Sequence, residues 1–199
     1  MEEKDGDRHL HIQTSGIRDW GIIHSSYNRY EPTSYAALET LFEQHKLEPD
    51  DHFVDFGCGS GRVTFYVHHR FHIPTTGIEA HDKTFQEAVT NKKSYEKKYQ
   101  HIKAPLTFQH AFAEEYSIDA NANVFYFFNP FSVNIFKQVI MNIIKSHQSQ
   151  ERKIKLILYY PLPIFEQFLQ TSTPFQWINE IKVPRDHNKY GKFIIYQMT

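Results

Sequence analysis

The chain has 199 residues, with 22 lysines and arginines against 23 aspartates and glutamates and a formal net charge of −1. That size suffices for one well-buried core, and the even charge balance exerts no overall pull toward nucleic acid or an anionic membrane. The single cysteine, Cys58, excludes a disulfide framework and a cysteine-based zinc site.

Residues 1–19 read as a polar leader that need not be ordered; up to Gln13 it is charged and lacks the apolar stretch of a signal peptide. Nothing in the chain approaches the apolar length of a membrane span, so a cytoplasmic protein is expected, with one domain over residues 20–199. Residues 32–47 carry Ala36, Ala37, Leu38, Leu41 and Phe42 at helical spacing, and Pro49-Asp50-Asp51 stops them. A strand over 52–57 leads into a helix over 61–71 that ends near Pro74. A strand at 75–80 and a long polar helix at 82–100 follow, then a strand at Leu106–His110. The run at 123–128 is apolar throughout, as in a central strand buried on both faces. Ile135, Phe136, Val139, Ile140, Ile143 and Ile144 form one stripe of a helix over 132–147. A strand at 154–160 and a short helix at 163–170 continue the alternation, which predicts an α/β fold with a mainly parallel sheet. Phe175–Val183 and Lys192–Met198 break it as two strands around a polar turn, a closing antiparallel hairpin.

The thirteen histidines do not form a metal motif: no H-E-x-x-H occurs, and His68, His69 and His72 read as polar residues around a helix end. Lys92, Lys93, Lys97 and Lys98 recur with Glu87 and Glu96 as a solvated helix face. No metal is expected.

Chemistry concentrates in Val54-Asp55-Phe56-Gly57-Cys58-Gly59-Ser60-Gly61-Arg62, where an apolar strand ends in an acid and three alternate glycines precede a helix. Glycine admits positive φ and close approach of a ligand, and the helix N-terminus adds free N–H groups. The dinucleotide fingerprint G-x-G-x-x-G fails because Arg62 stands at its third glycine. The phosphate loop fails because no Lys-Ser/Thr pair follows. Glu79 ends the next strand, one βα unit on.

Asp55, Gly57, Gly59 and Gly61 together with Glu79 resemble motif I of the class I S-adenosylmethionine (SAM)-dependent methyltransferases. The resemblance spans roughly residues 20–199. It implies a Rossmann-like, seven-stranded, mainly parallel sheet of order 3-2-1-4-5-7-6, with helices on both faces and the C-terminal antiparallel hairpin. It implies SAM as cofactor, with S-adenosylhomocysteine also bound, and Glu79 accepting both ribose hydroxyls. Phe112 stands where an Asp is common; adenine would then stack on Phe112 and meet a backbone N–H near Ala113, while a core role for Phe112 stays open. Tyr27, Tyr30, Thr33 and Tyr35 match a segment that folds over the methionine end, with Tyr30 and Thr33 as contacts, and simple helix packing is the alternative. Asn129-Pro130-Phe131 is one proline short of the [D/N/S]-P-P-[Y/F/W] motif of amino-methyltransferases. There Asn129 would touch both cofactor and target nitrogen, Pro130 would offer its carbonyl and Phe131 would stack; alternatively Asn129-Pro130 is only the N-terminal turn of the following helix. His110, Tyr126 and Tyr160 lie near strand ends as bases or as structural groups.

The expected function is methyl transfer from SAM to an unidentified acceptor, nitrogen favoured. The rivals are a small-molecule O- or N-methyltransferase and a non-catalytic SAM-binding scaffold or activator of a partner protein. Neither the acceptor nor the oligomeric state is legible in the residues.

Overall fold

The computed structural model describes residues 3–16, 26–28, 31–184 and 186–199. Among these residues six helices and seven strands follow in chain order: α1 Glu3–Leu10, α2 Tyr35–Gln44, β1 Phe53–Phe56, α3 Arg62–Phe71, β2 Thr75–Glu79, α4 Asp82–Lys98, β3 Leu106–His110, β4 Val124–Phe128, α5 Val133–Ser149, β5 Ile154–Tyr159, α6 Pro163–Ser172, β6 Gln176–Lys182 and β7 Lys192–Met198. A single 3-10 turn, Ala113–Glu115, follows β3. The seven strands form one sheet of order β3-β2-β1-β4-β5-β7-β6. β1 runs parallel to β2 and β4, and β7 pairs antiparallel with β5 and β6. The expected topology holds throughout.

Strand period sorts the side chains into two cores. Phe53, Tyr126, Ile157 and Ile195 face α2 and α3 with Leu41, Phe42, Phe65 and Val67. Val54, Phe125, Phe127, Leu156 and Ile194 face α5 and α6 with Phe136, Val139, Ile140 and Leu169. The α5 stripe is the one its periodicity predicts, and all six of its residues are buried. Parity along β1 puts Asp55 on the same face as Phe53, toward α3; Thr64 of α3 donates its hydroxyl to Asp55 at 2.9 Å.

Part of the leader is helical. Residues 3–10 form α1, whose Leu10 and Ile12 just beyond it enter the α2/α3 core. Gly6 lies flat on Tyr35, where a Cβ would come within 2.4 Å of the ring. Asp7 is buried under four hydrogen bonds, from Thr14 N and Oγ1, Ser15 Oγ and Tyr35 Oη. Polar composition concealed this docking, because the helix is held by its acids as much as by apolar burial.

Phe136 is fully buried and stacks on Phe165 with centroids 4.2 Å apart. Phe136→Ala should cost about 3–5 kcal/mol in urea unfolding. Trp177→Ala, on a residue 52% exposed on the edge strand β6, should stay within about 0.5 kcal/mol.

Candidate functional site

The turn after β1 owes its path to glycine. Gly57, Gly59 and Gly61 have φ of 73°, 56° and 94°, where other residues are strained. A Cβ on Gly57 would lie 2.5 Å from Pro130 Cβ, so the turn also approaches the end of β4 too closely for any side chain. Gly57 N and Cys58 N donate to Ile78 O at 2.9 and 3.0 Å, and Gly59 N donates to Glu79 Oε2 at 2.9 Å. These three N–H groups therefore brace the end of β2 and do not point at a ligand. Cys58 is packing: it is buried, and burial pushes its thiol well above the usual range.

A cleft of about 520 Å³ opens over the carboxyl ends of β1–β4, within the range of small-molecule sites. Along the sheet it passes Ala111, Phe112 and Ala113 after β3, Glu79 after β2, Asp55 and Gly57 at β1, and Phe128 and Pro130 at β4. Thr33, Glu31 and Arg62 line it as well. Glu79 Oε1 accepts from His81 N at 2.7 Å, so both carboxylate oxygens are held by backbone N–H groups. Burial raises the Glu79 carboxyl, and the N–H groups of His81 and Gly59 oppose that. Asp55 is pushed up to about 7 by complete burial, against the Thr64 hydroxyl bond and with the charge of Glu79 adding to the rise.

The expected residues separate into groups. Asp55, Gly57, Glu79, Phe112, Ala113, Thr33 and Pro130 line the cleft together. Gly59 acts through its bond to Glu79, and Gly61 caps α3. Tyr30 lies outside the described residues. Ala113 N, expected at the adenine edge, donates to Tyr27 Oη at 3.0 Å, while Tyr27 donates to Glu114 Oε2 at 2.6 Å. Thr33 Oγ1 lies 2.7 Å from Tyr126 Oη. Tyr35 is fully buried and binds Asp7, away from the cleft.

The turn after β4 differs from its expected role. Phe131 is 1% exposed and packs between Tyr27 and Phe127, so its ring is core. Asn129 sits at φ 41°, and its carbonyl accepts from Asn28 Nδ2 at 2.7 Å. Its Oδ1 is buried and meets no donor among the described residues. Asn28 N donates to Pro130 O at 3.0 Å, which engages the carbonyl expected for a target nitrogen. The helix-turn alternative also shifts, since α5 is capped at Ser132, three residues on. Of the candidate bases, His110 bonds Ala80 O at 3.0 Å and stacks on Phe85, Tyr126 bonds Thr33, and Tyr160 donates to Asp186.

Arg62 is the residue that pattern reading passed over, noting only that it breaks the dinucleotide fingerprint. A cation at the first position of a helix opposes the helix dipole, which signals waiting carboxylates. Arg62 Nη1 donates to Glu3 Oε2, Nη2 lies 3.6 Å from Asp7 Oδ1, and Nε donates to Thr14 Oγ1 at 2.7 Å.

A glycine-braced turn, a strand-end acid over this cleft and this strand order define the class I SAM-dependent methyltransferase fold. A model of the family described as histone methylation protein DOT1 matches residues 15–146. The chain belongs to that family. A protein-lysine N-methyltransferase of Saccharolobus islandicus (strain REY15A) is 32% identical over 63 residues, a match spanning 31% of this chain and 39% of the relative. The chain therefore matches well under half the length of that curated relative. The tRNA (uracil-54, C5)-methyltransferase of Pyrococcus abyssi, solved with S-adenosyl-L-homocysteine, superposes at TM-score 0.58 with 12% identity over 88% of this chain and 40% of its own. A SAM-dependent methyltransferase of Methanosarcina mazei gives 0.58 with 17% identity over 78% and 96%. At such identities the likeness is one of fold. Among the described residues no helix is long and apolar enough to cross a membrane, and no group of three His, Cys, Asp or Glu is placed to hold a metal.

Two predictions follow from this geometry. Asp55 binds its proton more tightly folded (about 7) than unfolded (about 4), so the folded state holds more protons between those values and stability falls as pH rises through that window. Asp55→Asn removes the fall: its stability relative to the wild type should grow by about 1 kcal/mol per pH unit from pH 4 to 7 and level off above, measured by denaturant titration. At Asn129, the positive φ predicts that Asn129→Ala melts lower than Asn129→Gly, by about 1 kcal/mol of stability.

Proposed function

We propose that this protein is a SAM-dependent methyltransferase acting on an amine nitrogen. The observation that carries the cofactor is Glu79, whose two oxygens are fixed by Gly59 and His81 over a cleft floored by Gly57. Such a carboxylate, pre-oriented by backbone donors, suits the paired hydroxyls of a ribose. Phe112 offers a ring for the base, and Asp55 and Thr33 offer oxygens toward the amino-acid end.

SAM supplies an activated methyl group, so the protein has chiefly to align and to exclude water. Glu79 orients from the ribose. Pro130 and Phe128 close the β4 side of the cleft, and the buried ring of Phe131 holds that turn in place.

Nitrogen is favoured by the rim and by the lysine-methylating relative. Phe128 of the cleft wall stacks beside Tyr160, with centroids 5.6 Å apart. Glu31 and Asp186 both act electrostatically on Tyr160, whose phenol is pushed up to about 12 by burial and by its bond to Asp186. Aromatic faces with two acids nearby attract a cationic side chain, at roughly 0.5–2 kcal/mol per cation–ring contact. This support for nitrogen does not depend on Asn129.

Calorimetry with S-adenosylhomocysteine tests the cofactor. Glu79→Ala should weaken binding ten- to a hundredfold, the scale of hydrogen bonds to a charged group, about 1.5–3 kcal/mol. Methyl-labelled SAM incubated with protein, RNA and small-molecule fractions tests the acceptor. Label recovered as methylated lysine supports the reading; label in carbon or oxygen acceptors alone refutes the nitrogen assignment. Tight binding with no transfer to any fraction identifies a SAM-binding scaffold.

A further inference from the structure

Arg62 lies at the β1 end of the cleft and is 2% exposed. Its guanidinium faces two carboxylates of α1, Glu3 and Asp7, and the carbonyl of Thr33 at 3.2 Å. Tyr35 lies under it, with the guanidinium carbon 4.7 Å from the ring centroid. One buried cation thus carries two anions. The two acids are not equivalent. Asp7 is buried and fully bonded, to Thr14, Ser15 and Tyr35, and it anchors α1. The Glu3 side chain is 44% exposed, sits in the first turn of α1, and spends its second oxygen on Tyr35 N, the first N–H of α2, at 3.1 Å. Glu3 therefore fills a carboxylate seat made by a guanidinium and a helix N-terminus, and the core contacts of Leu10 and Ile12 hold α1 without it.

The seat is at the right end of the cleft. With a ribose on Glu79 and a base toward Phe112, the other end of an adenosyl amino acid runs past Gly57 toward Asp55, Thr33 and Arg62. An added carboxylate there meets a site already overcompensated by one negative charge, and like charges in a buried site repel strongly. Removing Glu3 leaves Arg62 paired with Asp7 alone, and a ligand carboxylate then restores the count.

Resting on the SAM-binding reading above, we propose that Arg62 is the seat for the α-carboxylate of the ligand's amino-acid part, and that Glu3 of α1 competes for it as a built-in surrogate. α1 is then an electrostatic gate on the amino-acid end of the cleft. It weakens adenosyl amino acids without affecting adenosyl compounds that lack the carboxylate.

The test is calorimetry on the full chain with two probes, S-adenosylhomocysteine and its decarboxylated analogue, which keeps the amine. Glu3→Gln should tighten S-adenosylhomocysteine about three- to tenfold and change the analogue less than twofold. Arg62→Gln, which leaves Glu3 and Asp7 without their cation, should weaken S-adenosylhomocysteine relative to its decarboxylated analogue. Circular dichroism and a melt establish that each variant is folded, and because Arg62 is buried, Glu3→Gln alone decides if Arg62→Gln does not fold. Tightening of both probes equally would make α1 a general lid and overturn the carboxylate seat. Unchanged or weaker binding of S-adenosylhomocysteine by Glu3→Gln would make Glu3 a structural clamp and overturn the gate. Failure of both probes to bind the wild type and Glu3→Gln alike removes the cofactor reading together with this inference, whereas the other two outcomes leave the cofactor reading intact.

Discussion

The hydrogen bond from Gly59 N to the Glu79 carboxylate, backed by Gly57 N and Cys58 N on the carbonyl of Ile78, joins the turn after β1 to the end of β2. A glycine-rich turn has high conformational entropy and loses much of it on folding. Here the loss is offset by three bonds from backbone N–H groups, two to the carbonyl of Ile78 and one to the side chain of Glu79. The brace aims Glu79, keeps Gly57 close against Pro130, and starts α3 so that Thr64 reaches Asp55 and Arg62 turns toward α1. Parallel pairing of β1 with β2 sets the register, Phe56 opposite Ile78, that makes the bonds possible. The site is thus a consequence of sheet order first and of residue identity second.

α1 shows the same dependence from the other side. Arg62 emerges from the brace into the interior, where an unpaired guanidinium is costly to bury. Glu3, Asp7, Thr14 and Ser15 meet it there. The segment satisfying a core charge is itself mostly charged, which explains how a stretch of such low hydrophobicity docks firmly.

Strands, the α3, α4 and α5 helices and the hairpin were legible in the residues because each has a strong period or a clear stop. Leu106–His110 agrees to the residue, and most other boundaries shift by one or two, as helix and strand ends do. Asp55, Gly57 and Glu79 were legible because turn chemistry and strand ends confine such residues to one edge of a sheet. α1 was not, since its partners Tyr35 and Arg62 lie 28 and 59 residues away in sequence from Asp7 and Glu3. The surroundings of Asn129 and Phe131 were not legible for a related reason. A short motif marks the turn, but its main chain is held by Asn28 and Tyr27, about a hundred residues upstream. Arg62 carried a usable signal that pattern matching discards: a cation placed against a helix dipole implies an acid elsewhere.

Cofactor choice follows from the sign of the cleft. A dinucleotide brings a pyrophosphate, which such folds hold on free N–H groups of a glycine turn and helix N-terminus. In this chain those of Gly57, Cys58 and Gly59 are consumed by β2. Among the described residues, the acids lining the cleft are Glu31, Glu79, Asp82 and Asp55, the last held partly protonated at neutral pH by its burial, and the one lysine or arginine is Arg62, already matched by Glu3 and Asp7. A pyrophosphate would enter a region of negative potential with few donors to receive it. A sulfonium with an ammonium beside it enters the same region attracted, and low-dielectric walls strengthen that attraction. The discrimination that Arg62 makes in the sequence by displacing a glycine is therefore repeated in the electrostatics: the fold is shared with dinucleotide enzymes, and the charges around the turn select the cation.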